Sequence, residues 1–223
     1  MEKIRIQKYM SQAICSRRKA EDYIERLVKV NGQVAKIGES VCPEQDKVEL
    51  LDKAIEEQKN LVYYKLNKPR GIETTCAQHN EKNIVDIMDV KERVFPIRLD
   101  KESTLILMTN DGRLANFLMH PRYEHSKEYV VETFSFDDEQ LEMGKLFILA
   151  YTNEAKVKRI SSKFSIVLTE KNRQIRRMVE KLGSRVKKLK RIRIENIELK
   201  LDYEYKHLSK KELGLFDCLL KKD

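Results

Sequence analysis

At 223 residues, with 41% hydrophobic and 36% charged side chains, the chain has the balance of a soluble protein of one large or two smaller domains. Its longest apolar runs, such as Leu146 to Ala150, span four or five residues, which excludes a membrane-spanning helix, and the N-terminus has no apolar signal core. The formal net charge of +9 is concentrated, because residues 171–200 hold 12 basic and 3 acidic side chains while residues 1–59 (12 and 11), 60–170 (16 and 17) and 201–223 (5 and 5) balance. Within the first of these, residues 3–29 carry a second local excess of 8 basic over 3 acidic. Two basic patches separated by neutral chain suggest a polyanion held at two places.

In chain order, residues 3–12 and 16–28 read as two short helices, with Ser16 as N-cap and Ala20, Ile24 and Leu27 at helical spacing. Arg17, Arg18 and Lys19 then fall in a first turn, where the helix dipole disfavours each cation by about a few tenths of a kcal/mol. Such a placement suits a phosphate partner. Asn31-Gly32 between valines is a hairpin signal, and Val41 and Val48 to Leu50 suggest further short strands. Asp52 to Asn60 is polar and aperiodic and reads as a linker, giving a first domain over 1–52, a linker over 53–60 and a second domain over 61–223.

That second domain alternates strand and helix signals. Strands are expected at Leu61 to Leu66, Leu105 to Thr109, Lys127 to Thr133, Ala155 to Ile160, Lys163 to Thr169 and, alternating basic with apolar, Val186 to Leu201. Helices are expected from Gly112 to His120, Asp137 to Leu146 and Arg173 to Leu182, where Ile175, Met178, Val179 and Leu182 recur at i, i+3, i+4 and i+7. Strand runs interleaved with a few helices indicate an α+β fold on a mixed, mostly antiparallel sheet flanked by helices. Cys15, Cys42, Cys76 and Cys218 are scattered without a C-x-x-C pair and read as reduced thiols. His79, His120, His125 and His207 have no metal-ligand spacing, so no metal site is expected.

One segment is more specific. Arg98-Leu99-Asp100 puts a carboxylate beside a fixed cation just before the apolar strand at Leu105, and Gln174-Ile175-Arg176 supplies arginine that could keep it ionised. Together these segments resemble the signature of the RsuA/RluB-type pseudouridine synthases, which isomerise uridine in ribosomal RNA. Cys15-Ser16-Arg17-Arg18 and Val30-Asn31-Gly32, within two basic helices and a small sheet, resemble the α-L RNA-binding motif shared with a ribosomal small-subunit protein. The resemblance implies Asp100 as the essential carboxylate and Arg176 as its ion partner. It further implies Tyr129 as the ring that stacks on the target base and Leu189 as a pocket wall. Arg98 would support the pocket or contact phosphate. Arg17, Arg18 and Lys19, with Arg173, Arg177, Lys187, Lys188 and Lys190, are the expected RNA contacts.

Isomerisation breaks the glycosidic bond, turns the base and joins a carbon of it to the same ribose, so no redox partner and no cofactor are implied. Ribosomal RNA is the expected partner, with no membrane and no obligate protein partner, and the expected compartment is the cytoplasm. Asn83 to Asp86 and Val94 to Ile97 lean toward relatives that modify large-subunit RNA. The chain departs from the family pattern in glycine, of which it has 7. None precedes Arg98 or Leu105, where the pattern has one, nor Lys171, and none follows Lys200 or Tyr203. Either the chain has lost glycine at these turns or the written sequence lacks residues the protein carries. The first would favour a catalytically inactive ribosomal-RNA-binding or assembly factor of the same fold.

Overall fold

Apolar spacing at both helical and strand period, before and after residue 56, builds two units in the computed structural model. It describes residues 3–56, 60–74, 83–97, 104–134, 139, 142, 156–160, 163–169, 173–200 and 204–217. One unit comprises Met1–Val62 together with Val90–Val94, and the other Tyr63–Asp89 together with Phe95–Asp223. Among the described residues no helix is long and apolar enough to cross a membrane.

The first unit runs β1 (Ile4–Arg5), α1 (Ile6–Ala13), α2 (Arg17–Leu27), β2 (Val28–Val30), β3 (Gln33–Val34), β4 (Ser40–Val41), β5 (Val48–Leu50) and β6 (Lys53–Ala54). Ser16 caps α2 by accepting from the Lys19 amide at 3.3 Å. The Asn31-Gly32 turn closes the β2–β3 hairpin, both residues holding the positive φ (50° and 82°) that such a two-residue loop requires. Ile6, Tyr9, Met10, Ala20, Ile24, Val28, Val41 and Val48 form one core, which also takes in Ile55. The stretch expected as linker therefore opens with a paired strand, β6 against β5, and a buried isoleucine to which Tyr9 ties itself by donating to the Ile55 carbonyl at 2.8 Å. Arg93, from the segment that returns to this unit, donates to the Ser11 carbonyl at 2.6 Å, and Val94 is buried.

The second unit contains β7 (Tyr63–Lys68), β8 (Phe95–Ile97), β9 (Thr104–Thr109), α3 (Gly112–Met119), β10 (Lys127–Thr133), β11 (Lys156–Ile160), β12 (Lys163–Leu168), α4 (Gln174–Lys181), β13 (Val186–Ile194), β14 (Ile197–Glu198), β15 (Tyr205–His207) and α5 (Lys210–Leu213). Four strands order as β15-β7-β9-β8 and five as β11-β12-β10-β13-β14. Every pairing between these strands is antiparallel, and among the described residues the parallel component is confined to a bridge between Glu73 and Asn83. Leu105 to Met108 of β9 are all buried, as a strand covered on both faces must be.

Three expectations shift. The helix expected over 3–12 starts at Ile6, because Ile4 and Arg5 pair as β1 with Val41 and Ser40. The strand at Leu61 starts at Tyr63 and runs to Lys68, ending where Pro69 removes a ladder donor. The strand expected to run through Leu201 breaks at Glu195-Asn196, because Glu195 takes φ 50° and closes a two-residue turn onto Ile197. The Glu195 amide donates to the Ser126 carbonyl at 2.9 Å and its carboxylate accepts from the Ser126 amide, which holds the turn. The expected helix from Asp137 to Leu146 lies outside the described residues but for Glu139 and Glu142.

Candidate active site

Tyr129 and Leu189 share one face of the five-stranded sheet. Strand side chains alternate in direction and directly paired residues point the same way, and the register pairs Tyr129 with Arg191 and Val131 with Leu189. Helix α4 covers this face through Ile175, Met178 and Val179, which pack with Tyr129, Val131, Phe164, Ile166 and Leu168, with Leu189 half-buried against the cluster. That packing fixes α4 against the sheet, and Arg176, on the same helix, is half-buried. Tyr129 itself is 1% exposed, so its ring is part of this core. Asp100 and Arg98 lie outside the described residues.

Arg191, opposite Tyr129, was not singled out by the basic–apolar alternation, which predicts a wet face for it. It is 1% exposed. Its Nε and Nη2 both donate to the Leu105 carbonyl, at 3.0 and 2.7 Å, joining β13 to the first turns of β9. A buried guanidinium is kept by such bonds, since its charge cannot be removed. Arg191 stands directly beside Tyr129 in register. A buried network stands at the other end of β9, where the Tyr63 hydroxyl donates to Asp111 at 2.9 Å. Burial, and then the Asp111 charge, push the Tyr63 phenol far above its usual range, so it stays a neutral donor. Asp111 also caps α3, accepting from the Arg113 amide at 2.9 Å.

The expected RNA contacts divide by position. Arg173 precedes α4 in the left-handed region (φ 50°) without a side-chain cap, and Arg173 and Arg177 are exposed. No acidic residue occupies the first turn of α4. On β13, Lys187 and Lys188 are exposed and Lys190 is half-buried, pairing in register with Val130. In the other unit, Arg17, Arg18 and Lys19 are all exposed on the first turn of α2, and that turn too lacks acidic residues. Among the described residues no cluster of histidine, cysteine, aspartate or glutamate could hold a metal ion.

Residues 62–195 match the model of the RNA pseudouridylate synthases. The chain belongs to this family. It is 42% identical over 208 residues to the dual-specificity RNA pseudouridine synthase RluF of Escherichia coli K12, covering 88% of this chain and 71% of that protein. It is 37% identical to the ribosomal large subunit pseudouridine synthase B of Bacillus subtilis, covering 84% of each. An uncharacterised RNA pseudouridine synthase of Aquifex aeolicus is also 37% identical, over 89% of this chain and 87% of that one. A crystal structure of a pseudouridylate synthase superposes with a TM-score of 0.64 at 22% identity, covering 95% of this chain and 98% of the other, and shows the same α+β fold. The synthase isomerises uridine to pseudouridine. Its β10, α4 and β13, the elements that assemble the Tyr129 face, all lie within the matched residues.

Proposed function

We propose that this synthase converts a specific uridine of ribosomal RNA, within the large subunit, to pseudouridine, with Asp100 as the essential carboxylate. The observation that carries the reading is the convergence of Tyr129, Leu189 and the helix bearing Arg176 on one sheet face. The relative named for the ribosomal large subunit lends the substrate. In the reaction the bond from ribose C1′ to N1 breaks and a bond from C1′ to C5 forms. A proton leaves C5 and N1 gains one, so atoms and electrons balance without an oxidant or cofactor. Asp100 serves either by attacking the ribose or by taking a proton from it, and both roles need it ionised. A guanidinium beside a carboxylate favours the charged form, the role assigned to Arg176.

Tyr129 and Leu189 supply the apolar shelf on which the base turns. Because the Tyr129 ring is buried, a uridine that stacks on it must open the packing there as well as leave its own stack, a cost of about a few kcal/mol for the flip. Phosphate contacts from Arg173, Arg177, Lys187, Lys188 and Lys190 offset that cost, and Arg17, Arg18 and Lys19 select the RNA region. The test is a map of pseudouridines in ribosomal RNA from cells with and without this protein. One large-subunit site should disappear with the protein. An unchanged map, or a lost site in another RNA, overturns the reading.

A further inference from the structure

Phe134, just past the end of β10, is 70% exposed, more than any other large hydrophobic side chain among the described residues. Its backbone is held, since the Phe134 amide donates to the Arg185 carbonyl at 3.2 Å, so the ring stands on a fixed base. Lys187 lies over it with Nζ 6.0 Å from the ring centroid. Three lysines converge on the neighbouring Glu132, with Lys187 at 3.1 Å, Lys163 at 3.7 Å and Lys188 at 3.9 Å. One carboxylate cannot neutralise three ammonium groups, and their side chains remain 45–66% exposed. The patch is an aromatic face in a field of surplus positive charge.

We infer that Phe134 with Lys163, Lys187 and Lys188 is a stacking site for an unpaired base of the RNA, separate from the pocket for the target uridine. The inference rests on the reading of this chain as an enzyme acting on ribosomal RNA. A ring flanked by cations fits a nucleotide because the base stacks on the π face while the phosphates on either side meet the ammonium groups. A plain phosphate-binding surface would have no use for the phenyl ring. Five residues at about 3.3 Å each put Phe134 about 16 Å along the strand from Tyr129, so one base cannot touch both. The patch therefore holds a nucleotide other than the target uridine and an unpaired one, which favours a loop or bulge as the substrate element.

The chain contains no tryptophan, so Phe134→Trp introduces a single indole at the site. The full chain is titrated with a single-stranded RNA oligonucleotide of mixed sequence, and in parallel with heparin, a polyanion without bases. RNA should quench the indole and heparin should bind without quenching. Phe134→Ala should weaken RNA binding about tenfold while leaving the slope of affinity against salt unchanged, because stacking releases no counterions. The exposed ring contributes little to folding, so this variant stays folded. Unchanged affinity in Phe134→Ala, or equal quenching by heparin, overturns the site. An indole that responds to RNA-free ribosomal proteins but not to RNA overturns it in favour of a protein partner. None of these readouts needs turnover, so a chain that binds and quenches yet isomerises nothing counts against the proposed function and not against this site.

Discussion

Asp100→Asn keeps the shape of the side chain and removes its charge and basicity. Pseudouridine formation by the purified variant should vanish while affinity for the RNA stays within a few fold. Full activity would remove Asp100 from the mechanism. Arg191 makes a different kind of contribution. Its guanidinium donates twice to the Leu105 carbonyl from a fully buried position, and hydrogen bonds from charged groups are each worth about 1.5–3 kcal/mol. Arg191→Met should lower the unfolding free energy by about 2 kcal/mol, seen as a lower midpoint in urea, because the carbonyl is left without that donor. A midpoint equal to wild type would show that the clamp adds nothing to the seam.

At the scale of elements, β13 carries Lys187, Lys188 and Lys190, the RNA contacts proposed above, and its Lys187 and Lys188 share Glu132 of β10 with Lys163 of β12. Replacing the three lysines by alanine should weaken RNA binding and flatten the log–log salt dependence by about two units, less than the full three contacts because Glu132 already engages Lys187 and Lys188. An unchanged slope would place this face away from the RNA. The C-terminal helix α5 is tied to β7 by the Lys65–Glu212 ion pair at 2.6 Å, with both side chains nearly buried. Burial works to raise the Glu212 carboxyl, but hydrogen bonds from Lys65 and Ser209 outweigh it and hold the group below its ordinary 4.5. A depressed carboxyl stabilises the fold above that ordinary value and loses its effect as pH falls through the folded one. Glu212→Gln should therefore be less stable than wild type at pH 7, with the gap closing below about pH 4.5. A gap that stays constant with pH would show that the pair carries no net charge effect.

The same elements explain what was legible in the sequence. Lys127–Thr133 was readable end to end because one face of β10 is core and the other is wet, the one arrangement that prints alternation into a strand. Helix α4 was readable from Ile175, Met178 and Val179, which all reach the cluster around Tyr129. Arg191 was not, because β13 is flanked by β10 and lies against β9, and a basic residue at such a seam has the same local pattern as one in water. The break at Glu195 was also hidden, since its cause is Ser126, 69 residues away. Tyr129 and Leu189 came from a family resemblance, whereas their burial depends on how α4 is seated.

On the scale of the whole molecule, the first unit extends past the boundary expected at residue 52, since Ile55 and β6 belong to its core and sheet. A truncation should therefore remove residues 1–62 and not stop at 52. The remaining chain keeps both sheets of the second unit and should show their β-sheet circular dichroism. It should modify ribosomal RNA poorly, through weaker binding, while still acting at high concentration on a short RNA bearing the uridine. Arg93 would lose the Ser11 carbonyl, so limited proteolysis should cut near residues 90–94 only in the truncated form. Wild-type efficiency on ribosomal RNA would show that the first unit is not the selector, and loss of sheet signal would show that the second cannot fold alone.

The return of Val90–Val94 to the first unit also sets a clock on synthesis. A unit made only of the leading residues could finish folding once Val62 had cleared the ribosome. This one waits for Val94, 32 residues later. At about 5–20 residues per second, that is a delay of about 2–6 s in which α1 and α2 are made but the Ser11 carbonyl has no Arg93. Strand β7 emerges during the same interval, before its partner β9 exists. The nascent chain therefore holds two unfinished units at once, and the few residues from 90 to 97 complete the first and begin to close the second.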